Sequence, residues 1–175
     1  MYIWAGINVE RALKTVKNKA KLIYDTLPFA EKLYTMPMHV SLKMSFEVDD
    51  TIASNVLSVL QDIFARQSPF KMQVIGLETH NNIAWIRIAQ NLPLNKLHDT
   101  ILNTLQNKFN IQPHEYDLDY VYHVTLFMDD NAEVVKCAAE QIATTPLPKL
   151  LTIDTFLIGT SENGKVGTWT VKNVK

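Results

Sequence analysis

Two short motifs in this chain carry side chains that could perform acid–base chemistry. The first places His39 two residues before Ser41, and the second places His123 two residues before Thr125, each within an apolar run. Alternate residues of an extended strand share a face, so each histidine points the same way as its hydroxyl partner. An imidazole titrates near neutral pH. Together the motifs offer a general base, a general acid and two hydroxyls facing an anion, which is what metal-free cleavage of a phosphodiester requires.

The elements that must position these motifs recur in one order along the chain. A strand, a helix, a histidine-bearing strand, a second helix and a further strand are predicted in each half. Apolar periodicity, caps and turn residues predict strands at 2–7, 38–46, 70–78, 83–89 and 120–128, helices at 9–26, 49–63, 93–109 and 131–142, and a closing hairpin at 151–160 and 165–172 with a tight turn at Asn163 and Gly164.

The spacing between the motifs is the same for both of their polar residues. The histidines lie 84 residues apart (123 − 39), and the hydroxyl residues also lie 84 apart (125 − 41). An internal duplication that sets two equivalent strands across a cleft explains this spacing. Ordinary alternation of strands and helices is the simpler alternative, but it leaves the equivalent positions of the two motifs unexplained.

At these motifs the chain resembles the two-histidine phosphoesterase superfamily, which includes the bacterial 2'-5' RNA ligase-like proteins and RNA 2',3'-cyclic phosphodiesterases. The signature of that family is two copies of His-x-Ser/Thr, one per lobe, and residues 39–41 and 123–125 both fit it. The likeness extends over essentially the whole chain, including the opening strand and the hairpins at 70–86 and 156–171.

The resemblance implies an α+β fold, bilobal and duplicated, in which two antiparallel sheets flanked by helices surround a central cleft and residues 1–175 form a single domain. It also implies that His39, Ser41, His123 and Thr125 are the catalytic residues. One histidine would activate water, or a ribose hydroxyl in the reverse reaction, and the other would protonate the leaving ribose oxygen. The two hydroxyls would donate hydrogen bonds to phosphoryl oxygens, where charge builds in the transition state. Which histidine is the acid is not readable from the sequence.

The function expected from these residues is that of a metal-independent phosphoesterase that hydrolyses 2',3'-cyclic phosphates at RNA or nucleotide ends. Hydrolysis or ligation of 2'-5' linkages, or action on a cyclic phosphate of ADP-ribose, would use the same side chains. A non-catalytic module that binds a phosphorylated nucleotide or RNA end is an alternative of a different class. A protein-interaction domain in which the motifs have no role is a third alternative, and it leaves the doubled motif unexplained.

Four further residues are candidates for substrate contacts. Lys43 and Phe127 continue the faces of the two motifs, so the ammonium could reach a phosphate and the ring could stack on a base. A solvated lysine and a core phenylalanine are the structural alternatives. Tyr34 lies in the loop before the first motif, and Tyr122 directly precedes the second histidine. The other histidines are expected to be solvated: His80, His98 and His114.

The composition limits the expected partners and compartment. With 17 Lys and Arg against 18 Asp and Glu, and with no basic stripe apparent, the chain is not expected to bind a long duplex nucleic acid. A nucleotide or short RNA end needs few cations and is the expected partner, whereas the oligomeric state is open. Two distant histidines without a third ligand make a poor zinc site, so neither a metal nor another cofactor is expected. The single cysteine, Cys137, and the lack of a membrane-length apolar stretch favour a cytoplasmic protein.

Overall fold

Two four-stranded antiparallel sheets and five helices make up the protein, and the computed structural model describes all 175 residues. The strands are β1 (Tyr2–Asn8), β2 (His39–Glu47), β3 (Phe70–His80), β4 (Ile83–Ile88), β5 (His123–Met128), β6 (Leu150–Ile153), β7 (Phe156–Ser161) and β8 (Thr170–Val174). The helices are α1 (Lys14–Thr26), α2 (Asp50–Ala65), α3 (Leu92–Phe109), α4 (Glu115–Leu118) and α5 (Ala132–Ile142), and a 3-10 turn spans Leu33–Thr35. The predicted α+β class with two antiparallel sheets is confirmed.

Each sheet places its histidine strand beside the first strand of the same half. The strand orders are β2-β1-β7-β8 and β5-β4-β3-β6, so β2 and β5 occupy equivalent edges. The third strand of each sheet comes from the other half of the chain, because β3 follows α2 and β7 follows α5 and β6. The two halves are therefore interlocked by exchanged strands, and β2 packs against β5 in the middle of the molecule.

A cluster of 40 buried residues forms the hydrophobic core between the sheets and the helices. Polar caps begin the long helices: the side chains of Asp49, Asn91 and Asn131 accept hydrogen bonds from backbone N–H groups in the first turns of α2, α3 and α5. Each of these helices then turns its buried residues toward the core. None of the helices is both long and apolar enough to cross a membrane.

The helices differ from the sequence prediction at two places. Helix α1 begins at Lys14 and not at residue 9, because the Asn8 side chain accepts from the Glu10 N–H and closes a turn before the helix. Helix α4 lies where the sequence predicts only a polar loop. Its cap is the His114 side chain, which accepts from the Tyr116 N–H. A capping histidine is an uncommon signal, and four residues are too few to show periodicity.

The closing segment also differs from its prediction as one hairpin. The predicted strand at 151–160 is divided between the two sheets, because β6 pairs with β3 while β7 pairs with β1. Residues 162–169 form a loop in place of a tight turn at Asn163 and Gly164. The Ser161 hydroxyl accepts from the Gly164 N–H at 3.0 Å and lies 2.6 Å from the Thr168 hydroxyl, which stabilises the wider loop.

Each histidine strand contains one extra residue directly after its motif. In β2 the residues on either side of Leu42 pair with the adjacent residues Ala5 and Gly6, so Leu42 has no partner opposite it. Leu126 is the corresponding extra residue of β5. The two lie 84 positions apart (126 − 42), which is the spacing of the motifs themselves. Such β-bulges interrupt the alternation of faces along a strand.

The bulges redirect Lys43 and Phe127, which regular alternation would place on the faces of the histidines. Lys43 is 1% exposed, and its Nζ donates to Asp117 Oδ2 at 2.5 Å. Phe127 is fully buried against the rings of Tyr24 and Phe29. Phe127 is therefore not placed for the substrate contact that the sequence predicts. Lys43 does line the large cleft that also holds the two motifs, but its ammonium is bound to Asp117. One is committed to an ion pair and the other to the aromatic core.

The Lys43–Asp117 ion pair fastens α4 to β2. The Asp117 carboxylate also accepts from the Met44 N–H at 3.0 Å and from the His114 N–H at 2.7 Å. The side chains of the pair are 1% and 0% exposed. A buried ion pair is tolerated when its remaining hydrogen-bonding capacity is satisfied, and removing one partner leaves an uncompensated charge.

Replacing Lys43 by Met should therefore destabilise the protein by about 3–5 kcal/mol, because the Asp117 carboxylate would remain buried without its cation. The free energy of unfolding in urea, followed by circular dichroism, measures this loss. Lys165→Met removes an exposed lysine from the 162–169 loop and should change the stability by no more than about 0.5 kcal/mol. A loss in K43M no larger than in this control would show that the ion pair does not fasten α4 to β2.

Candidate functional site

Strands β2 and β5 contribute facing walls to a cleft of about 750 Å³. His39, Ser41, His123 and Thr125 all line it, so the structure brings together the four side chains of the two motifs. Of the 26 residues that line the cleft, 16 are hydrophobic, so charges inside it are screened less than in water. No three His, Cys, Asp or Glu side chains of the chain are grouped in a way that could hold a metal ion.

The same hydrogen bond orients both imidazole rings. His39 Nδ1 lies 2.8 Å from the Pro37 carbonyl oxygen, and His123 Nδ1 lies 2.6 Å from the Val121 carbonyl oxygen. A carbonyl oxygen only accepts, so each Nδ1 carries the hydrogen and donates it. Each neutral ring then keeps its lone pair on Nε2, which has no hydrogen-bond partner in the protein. Nε2 can accept a proton and, once charged, return it.

A tryptophan from the neighbouring strand packs against each histidine ring. Trp4 in β1 stacks on His39 and Trp85 in β4 lies against His123, with ring centroids 4.5 Å apart in both pairs. Trp4 lies flat because Gly159 in the adjacent strand has no side chain, since a Cβ there would come within 2.1 Å of the indole nitrogen. These contacts restrict the tilt of both imidazoles.

Sequence reasoning does not assign these tryptophans to the site, although each half of the chain carries one near its start. Their role depends on how β1 pairs with β2 and how β4 pairs with β5, and that register is set by tertiary packing. Trp85 is further fixed because its Nε1 donates to Glu78 Oε2 at 3.1 Å. The available signal is weak, because the two tryptophans lie 81 residues apart (85 − 4) and not the 84 that separates the motifs.

Burial lowers the pKa of both histidines. Removal from water is the larger cause at each ring, because it disfavours the charged imidazolium. The carbonyl groups that accept from the two Nδ1 atoms act in the opposite direction. His123 lowers the pKa of His39 further, which shows that the rings are within electrostatic reach of each other. Both rings are neutral bases near pH 7, and an anion between them would favour the protonated form that an acid needs.

The carbonyl groups of the two bulge residues are bound by side chains from opposite halves of the chain. His98 Nδ1 of α3 lies 2.7 Å from the Leu42 oxygen, and the Tyr24 hydroxyl of α1 donates to the Leu126 oxygen at 2.9 Å. His98 is 5% exposed and also bonds to the Asp117 carbonyl oxygen at 3.0 Å, so the prediction that it is solvated is wrong. These bonds fix the backbone directly after each motif.

The three tyrosines near the motifs are placed differently. Tyr34 lines the cleft from the 3-10 turn and remains a candidate for substrate contact. Tyr122 is 3% exposed and lines a separate pocket, so it is not brought to the cleft as the sequence predicts. Tyr120, which the sequence does not single out, does line the cleft, with its ring 6.5 Å from that of His123. Burial raises the pKa of the Tyr120 phenol, and the nearby Ser41 hydroxyl opposes this shift.

The sequence matches the family model of the 2'-5' RNA ligase superfamily over residues 10–165, which include both histidine motifs. The chain belongs to this superfamily. Its members are two-histidine phosphoesterases, so the resemblance drawn from the motifs is confirmed, and membership supports a phosphoesterase enzyme. Among curated protein sequences, none matches this chain.

Solved structures from three organisms share the fold of this superfamily member. TT0787 of Thermus thermophilus has a TM-score of 0.65 at 11% identity, covering 100% of this chain and 96% of its own. LigT of E. coli, solved with 3'-AMP, has a TM-score of 0.63 at 12% identity, covering 99% and 94%. Usb1 of Kluyveromyces marxianus has a TM-score of 0.51 at 12% identity, covering 99% and 97%. At such low identities the comparison establishes a common fold.

Both cleft histidines should titrate below pH 6.5 in the free protein, because burial is the larger cause of each shift. NMR titration of the imidazole Cε1–H signals measures this, and the variants His39→Gln and His123→Gln assign the signals. In H123Q the pKa of His39 should rise, because the neighbouring ring that lowers it is gone, yet stay below the ordinary value. Either histidine titrating at or above pH 6.5 would contradict the account of the cleft.

Proposed function

We propose that this protein hydrolyses 2',3'-cyclic phosphates at RNA or nucleotide ends, with His39 and His123 as a metal-independent acid–base pair. The observation that carries the proposal is the shared cleft in which two neutral imidazoles, oriented by equivalent Nδ1 bonds, present Nε2 atoms beside two hydroxyls. Membership of the 2'-5' RNA ligase superfamily supports phosphoesterase chemistry in general. The E. coli neighbour was solved with 3'-AMP, which agrees with a nucleotide-sized ligand.

In hydrolysis, Nε2 of one histidine takes a proton from water as the water oxygen attacks phosphorus. The bond between phosphorus and one ribose oxygen breaks, and the second histidine, already protonated, gives its proton to that oxygen. The first ring ends charged and the second neutral, so proton exchange with solvent restores the starting state. The near equivalence of His39 and His123 lets them exchange roles in the reverse reaction.

Ser41 and Thr125 stabilise the phosphoryl group during this step. Both hydroxyls lie on the walls of the cleft beside the histidines, so each can donate to a non-bridging oxygen. Negative charge on those oxygens grows as water adds, and donors fixed in a weakly screened site favour that charge. With a ribose hydroxyl in place of water, the same four groups would form or break a 2'-5' linkage.

The rest of the cleft suits the nucleoside part of such a substrate. Its walls are mainly apolar and include the rings of Tyr34, Tyr120 and Trp169. Aromatic side chains bind nucleobases by stacking, with little dependence on base identity. We propose Tyr34 as a substrate contact, because it lines the cleft from the 3-10 turn that precedes β2.

Replacing His39 or His123 by Ala should each reduce turnover of 2',3'-cyclic mononucleotides by about 10²–10⁴-fold, because each variant removes the base or the acid. Turnover is measured in EDTA, with the 2'- and 3'-phosphate products resolved to show which ribose oxygen leaves. Glu140→Ala removes an exposed titratable residue of α5 that lies outside the cleft and should retain wild-type turnover.

Loss of activity in both cleft variants, with Glu140→Ala unaffected, supports the two-histidine mechanism. Full activity in either cleft variant would contradict it. If the wild type does not turn over these compounds but is stabilised by them against thermal unfolding, the protein is a binding module for phosphorylated nucleotides.

A further inference from the structure

Positive charge is concentrated on α1 and the turn before it, although the whole chain has a formal charge of −1. Five of the 17 Lys and Arg residues fall within residues 11–21, which contain no acidic residue: Arg11, Lys14, Lys17, Lys19 and Lys21. The expectation that the chain has no basic stripe is therefore wrong for this segment. Total composition hides it, because acidic residues elsewhere balance the charge.

Four of these cations lie along one groove. Arg11, Lys14, Lys17 and Lys21 line it together with Tyr34, and its volume is about 390 Å³. Intervals of three or four residues place side chains on the same face of a helix, which accounts for their alignment. We call this surface the α1 groove. Arg11, Lys14 and Lys21 are exposed and have no acidic partner.

One acidic residue also lines the α1 groove. Glu10 Oε2 accepts from Lys17 Nζ at 2.7 Å and from the Met38 N–H at 3.3 Å. With four cations and this one carboxylate, the groove keeps a formal charge of +3. Glu10 therefore pairs with Lys17 alone and leaves Arg11, Lys14 and Lys21 free for an anionic ligand.

The α1 groove adjoins the cleft that holds the two motifs. Lys17 and Tyr34 line both, so the two cavities share a wall. Lys17 Nζ donates to the Met36 carbonyl oxygen at 3.2 Å, three residues before His39. Lys21 Nζ lies 5.9 Å from the centre of the Tyr34 ring, and Lys21 lines the groove but not the cleft.

The place of α1 in the fold does not require its positive charge. Helix α3 holds the corresponding place in the second half, between β4 and β5. Its exposed cations are only Lys96 and Lys108, and Asp99 is exposed beside the first of them. The two helices occupy equivalent places in the fold, yet α1 carries more unpaired cations than α3. Binding of an anionic ligand therefore explains the charge of α1 better than the stability of the fold does.

We infer that the α1 groove binds the backbone phosphates of an RNA strand whose terminal cyclic phosphate lies in the cleft. The inference rests on the proposed function and narrows it to a substrate class. Lys14 and Lys21 are separated by about 10 Å along the helix axis, enough for about two or three phosphates. The preferred substrate is therefore a single-stranded RNA end of about three or more nucleotides, in preference to a cyclic mononucleotide.

The test compares a tetranucleotide ending in a 2',3'-cyclic phosphate with a 2',3'-cyclic mononucleotide. In the wild type the KM for the tetranucleotide should be about 10-fold lower, and in Lys14→Gln/Lys21→Gln it should rise to within about twofold of the mononucleotide value. Neither kcat nor the mononucleotide KM should change. For the tetranucleotide, the slope of log KM against the logarithm of the salt concentration should become shallower by about 1.4. This is about 0.7 for each of the two phosphate contacts that the double variant removes from a single strand.

The matched control is Lys96→Gln/Lys108→Gln, which removes the same charge from α3 and should behave as the wild type. An unchanged tetranucleotide KM in K14Q/K21Q, or an equal rise in both double variants, would overturn the inference. Failure of the wild type to turn over either compound would contradict the proposed function. In that case, binding of a fluorescein-labelled tetranucleotide 3'-phosphate, measured by fluorescence anisotropy, tests the role of the α1 groove separately. Weaker binding in K14Q/K21Q alone supports the groove, and equal binding in all three proteins refutes it.

Discussion

The extra residue after each histidine motif constrains the geometry of the whole site. Before Leu42 and Leu126 the strands alternate, so each histidine and its hydroxyl partner face the cleft. At the bulge the alternation is interrupted, and a carbonyl group becomes available for a side chain. His98 and Tyr24 bind those carbonyls, each from a helix of the opposite half. Neither motif is therefore positioned by its own half alone, and the exchanged strands β3 and β7 reinforce this dependence.

The two histidines and the unpaired cations lie on different surfaces of the protein. The cleft has mainly apolar walls and two histidines whose pKa values are lowered by burial, and its buried lysine, Lys43, is neutralised by Asp117. A site of this kind moves protons efficiently but offers little long-range attraction to an anion. The free cations lie just outside it, on α1. In the proposed function, attraction of a polyanionic substrate and cleavage of its terminal bond therefore take place on adjoining surfaces.

Local patterns in the sequence predict much of this structure. Paired motifs at equal spacing predict two equivalent strands. Cap and proline signals with apolar periodicity place the starts of α2, α3 and α5 within a residue or two. The bulges escape prediction because they depend on pairing with β1 and β4, which no local pattern reports. That omission accounts for the prediction of a free Lys43 ammonium and an accessible Phe127 ring, whereas the first is paired with Asp117 and the second is buried. The tryptophans escape for the same reason, since strand register alone brings them onto the imidazoles.

The central claim is that two equivalent histidines divide the roles of base and acid. The pH dependence of kcat/KM for a 2',3'-cyclic mononucleotide tests it most directly, in the wild type and in the residual activity of H39Q and H123Q. A base and an acid acting together predict a bell-shaped profile for the wild type. Each variant should lose one limb of the bell, and the two should lose opposite limbs. A flat wild-type profile, or loss of the same limb in both variants, would contradict the claim.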